Sequence, residues 1–156
     1  MSKRLKRVEA PLAAAEVEVA ILATADETRT AEQAATAADC AVDQIAKSIL
    51  FQGQASGHVI LFITAGGRQV DPTKASALAG EALGKADADL IRRETGFAIG
   101  GVAPIGHLAP VRAFFDPRLL DFDRVWAAAG TPRHIFAIAP ARLLSLSGAT
   151  LADFTT

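Results

Sequence analysis

Short apolar runs along the chain predict a set of strands that occur in clusters. Residues 46–51 and 58–64 are apolar over most of their length, and the glycine-containing stretch between them predicts that the two strands pair antiparallel. The Ala-Gly-Gly sequence at residues 65–67 predicts a tight turn that adds residues 68–70 to this ribbon. Alternation or short apolar runs predict further strands at residues 17–21, 111–115, 124–128 and 134–138.

Capping residues mark where helices begin. Thr30 followed by Gln33 has the spacing of a capping box, which predicts a helix as far as about Ala38. Asp71 before Pro72 combines an N-cap side chain with a preset φ at the first helical position. Two further helices are predicted, one from Asp87 to Gly96 and one from near Pro140 to Gly148.

The N-terminal segment has a helical pattern interrupted by a proline. Leu5, Val8 and Leu12 fall on one helical face, and Ser2 is the expected N-cap. Because Pro11 cannot donate a helical hydrogen bond, we expect this helix either to be short or to restart there.

About six strands and four or five short helices predict one α+β domain over residues 1–156. We expect a mixed, partly barrel-like sheet rather than a doubly wound one, because the strands do not alternate with helices. A chain of this length buries roughly two-thirds of its unfolded surface, so it needs no metal or disulfide to fold. The single Cys40 could not form an internal disulfide.

The charge balance excludes some classes of partner. Sixteen Lys and Arg face 17 Asp and Glu, and a net charge of -1 argues against a general binder of duplex DNA. Four of those cations lie within residues 3–7, where a solvated helix face or an RNA-backbone contact are the two interpretations. No run approaches the roughly 20 apolar residues of a membrane span, and no apolar signal core follows the basic start. We therefore expect a cytoplasmic protein with no membrane partner.

Lys47 is the most informative side chain, because it lies in the middle of an otherwise apolar strand. A lysine there needs water or a charge partner for its ammonium group. One interpretation is an outward-facing lysine whose stem covers apolar surface. The other is a cation at the floor of a cleft that holds a phosphate, an amide or a carbonyl oxygen.

The segment at residues 97–107 carries three glycines and a proline among apolar residues. Consecutive backbone N–H groups in such a segment can bind an anion or a carbonyl oxygen, although a structural turn would look the same. The segment is neither a P-loop nor a dinucleotide-binding motif, so no nucleotide cofactor is expected.

The remaining candidate groups do not form a recognisable catalytic motif. The three histidines lack metal-ligand spacing, and no serine lies in a nucleophile elbow, so we expect neither a metal site nor a serine-hydrolase triad. His134 either lines a pocket or is an ordinary strand-end histidine.

Taken together, these residues resemble the YbaK/ProX family of prolyl-tRNA editing domains, which are aminoacyl-tRNA deacylases. Residues 45–51 stand in the place of the lysine strand of that family, and residues 59–71 stand in the place of its central ribbon and helix start. Residues 95–106 match its GxxxP loop, while residues 125–130 and 140–153 agree with its C-terminal part.

The resemblance implies a free-standing, cofactor-free hydrolase that removes a wrong amino acid from the 3′ end of a tRNA, most simply tRNA(Pro). A synthetase is a further partner that it suggests. The matching lysine contacts the substrate near the 3′ end, and the loop positions the aminoacyl group. Under this resemblance the catalytic residues are Lys47, Gly100 and Gly101, and the substrate-binding residues are Ser48, Val102, Ala103, Pro104, Ile105, Gly106, Gly130 and His134.

The chain also departs from better-known members at positions near the amino-acid pocket. Residues 26–29 contain no histidine where many members have one, and Ala103 stands where some have serine. These departures leave the amino acid open among Ala, Cys, Ser, Thr and a small non-protein amino acid. They also support an alternative, a non-catalytic relative that binds a tRNA 3′ end, a small ligand or a protein.

Overall fold

The computed structural model describes residues 3–156, in which helices and strands alternate irregularly. The helices in this range are α1 (Lys3–Ala14), α2 (Ala31–Ala38), α3 (Pro72–Ala79), α4 (Ala88–Thr95) and α5 (Pro140–Ser147). The strands are β1 (Ile21–Ala23), β2 (Ala46–Gly53), β3 (Val59–Ala65), β4 (Leu83–Lys85), β5 (Arg112–Phe115), β6 (Val125–Ala128), β7 (His134–Ile138) and β8 (Thr150–Leu151). Two short 3-10 helices occupy Val42–Gln44 and Pro117–Asp121.

The strands form two sheets. The larger has the order β4-β2-β3-β5-β8 and is mixed, because β5 runs parallel to both β3 and β8 while β2 is antiparallel to β3 and β4. The smaller is antiparallel, with the order β1-β7-β6. A single bridge between Ile45 and Trp126 joins the start of β2 to the smaller sheet. The predicted α+β class with a mixed sheet is confirmed.

Strand β3 is central because both of its faces are buried. Leu61 and Ile63 belong to the main core, whereas Ile60 and Phe62 pack into a second cluster against α3 and the C-terminus. The Phe62 ring stacks on Phe114 with centroids 5.3 Å apart. Burying each such side chain stabilises the fold by about 1.5–3 kcal/mol. A strand buried on both faces reads as a continuous apolar run, which is why the sequence predicted it.

The local capping signals are confirmed. The Thr30 side chain accepts from Gln33 N and the Gln33 side chain reaches back, which completes the capping box of α2. Asp71 accepts from Thr73 N and Lys74 N at the start of α3. These interactions depend only on neighbouring residues, so their sequence pattern suffices to predict them.

Some predicted strands are displaced or missing, and two unpredicted strands occur. The strand expected at residues 17–21 is instead β1, three residues long, and residues 68–70 form no strand, with Val70 making only one bridge to Thr155. Residues 3–156 contain eight strands, two more than the six predicted, and the two additional ones are β4 and β8. Both are short edge strands, too brief to show a period in the sequence.

Helix α1 continues through Pro11 and buries the predicted face of Leu5, Val8 and Leu12. The expected N-cap, Ser2, lies outside the described residues. Two glycines of other segments touch the backbone of this helix: a Cβ on Gly106 would overlap Arg7 O, and one on Gly130 would lie 2.6 Å from Arg4 O. Helix α1 is therefore packed directly against the glycine-rich loop that the sequence singled out. No helix within residues 3–156 has the length and apolar character to cross a membrane.

Candidate active site

A cleft of about 640 Å³ runs along one edge of β2. Its other walls come from the segment that enters α2, from the turn after β3 and from the glycine-rich loop. Four residues of the expected site line it, namely Lys47, Ser48, Gly100 and Val102. The fold therefore brings the lysine strand and the loop together.

The edge of β2 in this cleft is unpaired. Strand β4 pairs only with residues 51–53 and the bridge to Trp126 involves only Ile45, so among residues 3–156 no strand pairs with this edge between those points. Ser48 lies opposite Ile63, whose carbonyl accepts from Asp116 N on the far side of β3. In an antiparallel pair, two residues that lie opposite each other either exchange both hydrogen bonds or point their N–H and C=O groups away from each other. Because Ile63 points its carbonyl away from β2, the N–H and C=O of Ser48 point away from β3 and towards the cleft.

Lys47 is half-buried and its ammonium group is held by two main-chain carbonyls. Nζ lies 2.6 Å from Arg68 O and 3.2 Å from Gly66 O. A lysine has three N–H donors and no acceptor, so two are engaged and one is left to donate to a bound molecule. Lys47 therefore matches the interpretation of a cation inside a cleft better than the interpretation of an outward-facing lysine on a strand.

The charge of Lys47 is set by opposing effects. Burial lowers the pKa of its ammonium group, while the carboxylates of Glu32, Asp43 and Asp116 act in the opposite direction. The three acidic groups favour the charged form that can donate three hydrogen bonds. Its neighbour Ser48 has a buried Oγ that makes no hydrogen bond within the described residues. Such a group is costly to bury unless a ligand supplies the partner.

Most of the glycine-rich loop supports the cleft from behind. Gly101, Ala103, Pro104 and Ile105 are buried, and Gly101 N donates to Ala98 O at 3.0 Å. A Cβ on Gly101 would lie 2.9 Å from the backbone of Thr131. Since its amide is already engaged, Gly101 has no N–H free for a substrate in this conformation.

Gly100 is half-buried and lines the cleft, next to the exposed Ile99. Its φ of +94° falls in the left-handed region, and a Cβ there would lie 2.7 Å from Arg29 Nη1. The backbone conformation therefore favours glycine here, whereas the Arg29 guanidinium group is the end of a flexible, exposed side chain that could move aside. Arg29 Nη1 also lies 3.5 Å from Ile99 O, and Arg29 Nε is paired with Glu27 at 2.6 Å.

Six of the expected substrate-binding residues lie outside the lining of the cleft, namely Ala103, Pro104, Ile105 and Gly106 of the loop, and Gly130 and His134. The His134 ring is tied to Thr131 Oγ1 by a 2.6 Å contact through Nδ1. Ile135 next to it does line the cleft, and neighbouring strand side chains point to opposite faces. Gly130 has a φ of +98° and packs against α1, as described above, so its place in the fold is a close backbone contact. The sequence assignments of these residues to substrate binding stay predictions.

The cleft also contains polar residues that the sequence did not single out. Arg29 and Glu32 flank the start of α2, Gln69 follows the turn after β3, and Lys85 ends β4. None of them interrupts an apolar pattern, so no local signal marked them. Within residues 3–156 no group of three or more His, Cys, Asp or Glu is placed to hold a metal ion.

Comparison with known proteins identifies the family. A family model described as an aminoacyl-tRNA editing domain matches residues 25–146, which include the whole of the cleft. The chain belongs to the aminoacyl-tRNA editing domain family. This confirms the resemblance proposed from the sequence.

Individual relatives agree with this assignment. The editing domain is 30% identical over 118 residues to the uncharacterized protein YwhH of Bacillus subtilis (strain 168), covering 76% of this chain and 74% of that protein. A crystal structure described as a candidate trans-editing enzyme for prolyl tRNA synthetase superposes with a TM-score of 0.91 at 40% identity, over 100% of this chain and 99% of the other. The structure of hypothetical protein APE2540 gives a TM-score of 0.87 at 25% identity, covering 96% and 99%.

Proposed function

We propose that residues 1–156 form one editing domain that hydrolyses a mischarged aminoacyl-tRNA in trans, with tRNA(Pro) as the carrier. The observation that carries the proposal is the Lys47 ammonium group, which two carbonyls hold in the cleft with one N–H left over. Family membership supports an editing role, and the 40% identical neighbour supports the link to prolyl-tRNA. Because ribosomes consume aminoacyl-tRNA, the cytoplasm is the compartment where this activity would be useful.

The proposed chemistry is attack of water on the ester that joins the amino acid to the terminal ribose. The third N–H of Lys47 donates to the carbonyl oxygen and stabilises the negative charge that develops there. Water adds OH to the acyl carbon, the bond to the ribose oxygen breaks, and that oxygen takes a proton. The products are a free amino acid and a tRNA with a free 3′-terminal hydroxyl. An ester is already activated, so positioning and electrostatic stabilisation suffice without a protein nucleophile.

The free edge of β2 supplies groups that fit the rest of an aminoacyl ester. The carbonyl of Ser48 can accept from the α-ammonium group, and its N–H and Oγ can bond to a substrate oxygen. Gly100 and Val102 lie across the cleft from this edge and would enclose the amino-acid side chain. These contacts involve the α-ammonium group and the carbonyl, which all aminoacyl groups share. Discrimination among amino acids would therefore depend on the pocket for the side chain.

Two cations at the cleft match the polyanionic end of a tRNA. Arg29 and Lys85 both line the cleft and both are exposed, so either can reach a phosphate of the terminal nucleotides. The exposed Lys3 and Lys6 of α1 extend the positive charge along the surface that backs the loop. Because the net charge is -1, tRNA binding would depend on a few local cations of this kind and not on a general excess of positive charge.

The decisive experiment is a deacylation assay on labelled Ala-, Cys-, Ser-, Thr- and Pro-tRNA(Pro) and on Ala-tRNA(Ala). We expect wild type to release one non-cognate amino acid and to spare Pro-tRNA(Pro). Lys47→Ala should lower kcat by about 10²–10³, the usual loss when one donor to a developing oxyanion is removed. The melting temperature of Lys47→Ala should stay close to that of wild type, which shows that the loss is not unfolding.

Lys74 offers a matched control for this assay. It is also a lysine that bonds a main-chain carbonyl, Thr155 O at 2.9 Å, but it is exposed and lies on α3 away from the cleft. Lys74→Ala should keep full deacylase activity. If folded wild type releases nothing from the panel, the proposed activity is wrong; if wild type is active and Lys47→Ala keeps its rate, the role proposed for Lys47 is wrong.

The engaged amide of Gly101 favours a second candidate, a non-catalytic module that binds the tRNA 3′ end, because the loop then has one donor fewer for an oxyanion. This candidate predicts tight binding of a non-hydrolysable aminoacyl-adenosine without turnover of any tRNA in the panel.

A further inference from the structure

The turn after β3 determines where the Lys47 ammonium group lies. Arg68 N donates to Ala65 O at 2.9 Å and closes the turn, and the carbonyls of Gly66 and Arg68 are the two acceptors of Lys47 Nζ. Any movement of this turn therefore moves the ammonium group. The question is what holds the turn in place.

Two carboxylates from distant parts of the chain hold it. Asp43 Oδ1 accepts from Gly67 N at 2.8 Å. Asp116 Oδ2 accepts from Ala65 N at 3.1 Å, and its Oδ1 accepts from the Arg68 guanidinium at 3.2 Å. The Asp116 side chain is fully buried, with 0% of its surface exposed. Three of the turn's donors are thus satisfied by charged acceptors, which make stronger hydrogen bonds than neutral ones.

Arg118 links the two carboxylates to each other. Its Nε lies 3.1 Å from Asp43 Oδ2, and its backbone N donates to Asp116 Oδ1 at 3.0 Å. A third carboxylate, Asp121, pairs with Arg118 Nη1 at 2.9 Å, and within the described part of the chain it makes no hydrogen bond to the turn. Asp43 and Asp121 therefore share one partner, while only Asp43 reaches the turn.

The turn also packs closely against the 3-10 helix that carries Asp43. A Cβ on Gly66 would overlap Val42 O, and one on Gly67 would lie 2.5 Å from Asp43 Oδ1. Neither glycine has a positive φ, so the close approach to the 3-10 helix at Val42–Gln44 is the reason for glycine at both positions.

We propose that Asp43 and Asp116 are positioning residues that hold the turn after β3 and thereby aim the Lys47 ammonium group into the cleft. This inference rests on the proposed function, in which Lys47 is the group that touches substrate. Neither carboxylate lines the cleft, so both act through the turn and not on the bound molecule. A catalytic group displaced by about 1 Å can lose about 10² in rate, so the effect should appear in kcat.

Asp43 is the better residue to change, because Asp116 is fully buried and its replacement can unfold the protein. Asp43→Ala should lower kcat of deacylation about 10-fold or more while KM for the tRNA stays within about twofold. Asp43→Asn keeps an oxygen that can accept from Gly67 N, so it should recover most of the lost kcat. Asp121→Ala is the matched control and should behave as wild type, since it removes only the exposed partner of Arg118.

A second measurement separates failure of this inference from failure of the proposed function. The pKa of Lys47 can be followed by NMR in protein with 13C-labelled lysine, with Lys47→Ala identifying the signal. The pKa should fall in Asp43→Asn, because a carboxylate that favours the ammonium form is lost, and it should not change in Asp121→Asn.

Each outcome decides one of the two proposals. Wild type without deacylase activity refutes the function. The positioning role then stands if the Lys47 13C signals move more in Asp43→Ala than in Asp43→Asn, because both variants lose the charge but only Asp43→Ala loses the acceptor of Gly67 N. It falls if the two variants move these signals equally. Active wild type with kcat unchanged in Asp43→Ala overturns the positioning role and keeps the function, whatever the Lys47 pKa does. An equal rise of KM with no loss of kcat in Asp43→Ala would also overturn it.

Discussion

Replacing Gly106 by alanine measures how firmly α1 holds the glycine-rich loop. Gly106 has a φ of +79°, and a Cβ there would overlap Arg7 O and lie 2.8 Å from Arg7 C. Pro11 has no amide hydrogen, so it cannot donate to Arg7 O, the helical acceptor four residues before it. The loop therefore approaches α1 at the turn where proline interrupts the helical hydrogen bonds.

Gly57 is a matched reference for the size of this effect. Its φ is +77°, nearly that of Gly106, but no heavy atom lies within 4 Å of an added Cβ. Alanine at either site costs about 1–2 kcal/mol because an L residue is disfavoured in the left-handed region. Only Gly106→Ala must also displace a helix backbone, and overpacking costs about 1–3 kcal/mol more. The expected totals are about 1–2 kcal/mol for Gly57→Ala and about 2–5 kcal/mol for Gly106→Ala.

Thermal and urea unfolding followed by circular dichroism would measure this difference. For a domain of this size 1 kcal/mol shifts the melting temperature by about 2–4 °C, so Gly106→Ala should melt roughly 2–12 °C below Gly57→Ala. Deacylation should fall with Gly106→Ala and stay near wild type with Gly57→Ala, since only the first moves the loop. Equal stability losses in the two variants would refute the argument that α1 and the loop are in rigid contact.

Two further predictions concern the mouth of the cleft and the support of the loop. Arg29→Ala should raise KM for aminoacyl-tRNA and reduce the slope of its salt dependence by about one counterion, measured by kinetics at several salt concentrations; an unchanged slope would exclude a phosphate contact. His107 Nε2 donates to Ala103 O at 2.8 Å, and burial lowers the pKa of the ring, so the fold favours neutral His107. The unfolded chain then binds more protons than the folded chain. The free energy of unfolding should therefore be greatest above the ordinary histidine pKa of 6.5 and should fall as the pH drops below it. His107→Gln can donate to the same carbonyl and does not titrate. Between pH 7 and pH 5 its melting temperature should therefore fall less than that of wild type; equal falls in thermal melts would contradict this.

The parts of the fold that the sequence predicted are those with local causes. The capping box of Thr30 and Gln33 needs only residues three apart, and the two-sided burial of β3 shows as a continuous apolar run. Lys47 could be singled out for a related reason, because a cation inside such a run contradicts its surroundings. The pattern alone left an outward-facing lysine and a cleft lysine as alternatives, and the resemblance to a family was what assigned it to the site.

The parts that could not be predicted depend on contacts between distant residues. Asp43 bonds to Gly67, 24 residues later, and Asp116 bonds to Arg68, 48 residues earlier. Each of these residues stands in an ordinary polar or turn-like stretch, so no period or spacing marks it. The same holds for Arg29, whose guanidinium group meets Ile99 and Gly100 only after the chain has folded. Glycines in the 65–67 turn were predicted as turn formers, yet the structure requires them for close approach to the 3-10 helix.

The unpaired edge of β2 explains why a site of this kind sits beside Lys47. Buried backbone groups left without partners destabilise a fold, and an exposed strand edge invites pairing with other chains. Here the edge next to Ser48 lies at the bottom of a cleft whose walls include the start of α2 and the loop around Gly100, which restrict access by another strand. A small group with its own donor and acceptor, such as the α-ammonium and carbonyl of an aminoacyl ester, can still enter and satisfy the edge. The groups that β2 leaves unpaired are therefore of the kind that the proposed aminoacyl substrate would pair, and Lys47 lines the same cleft.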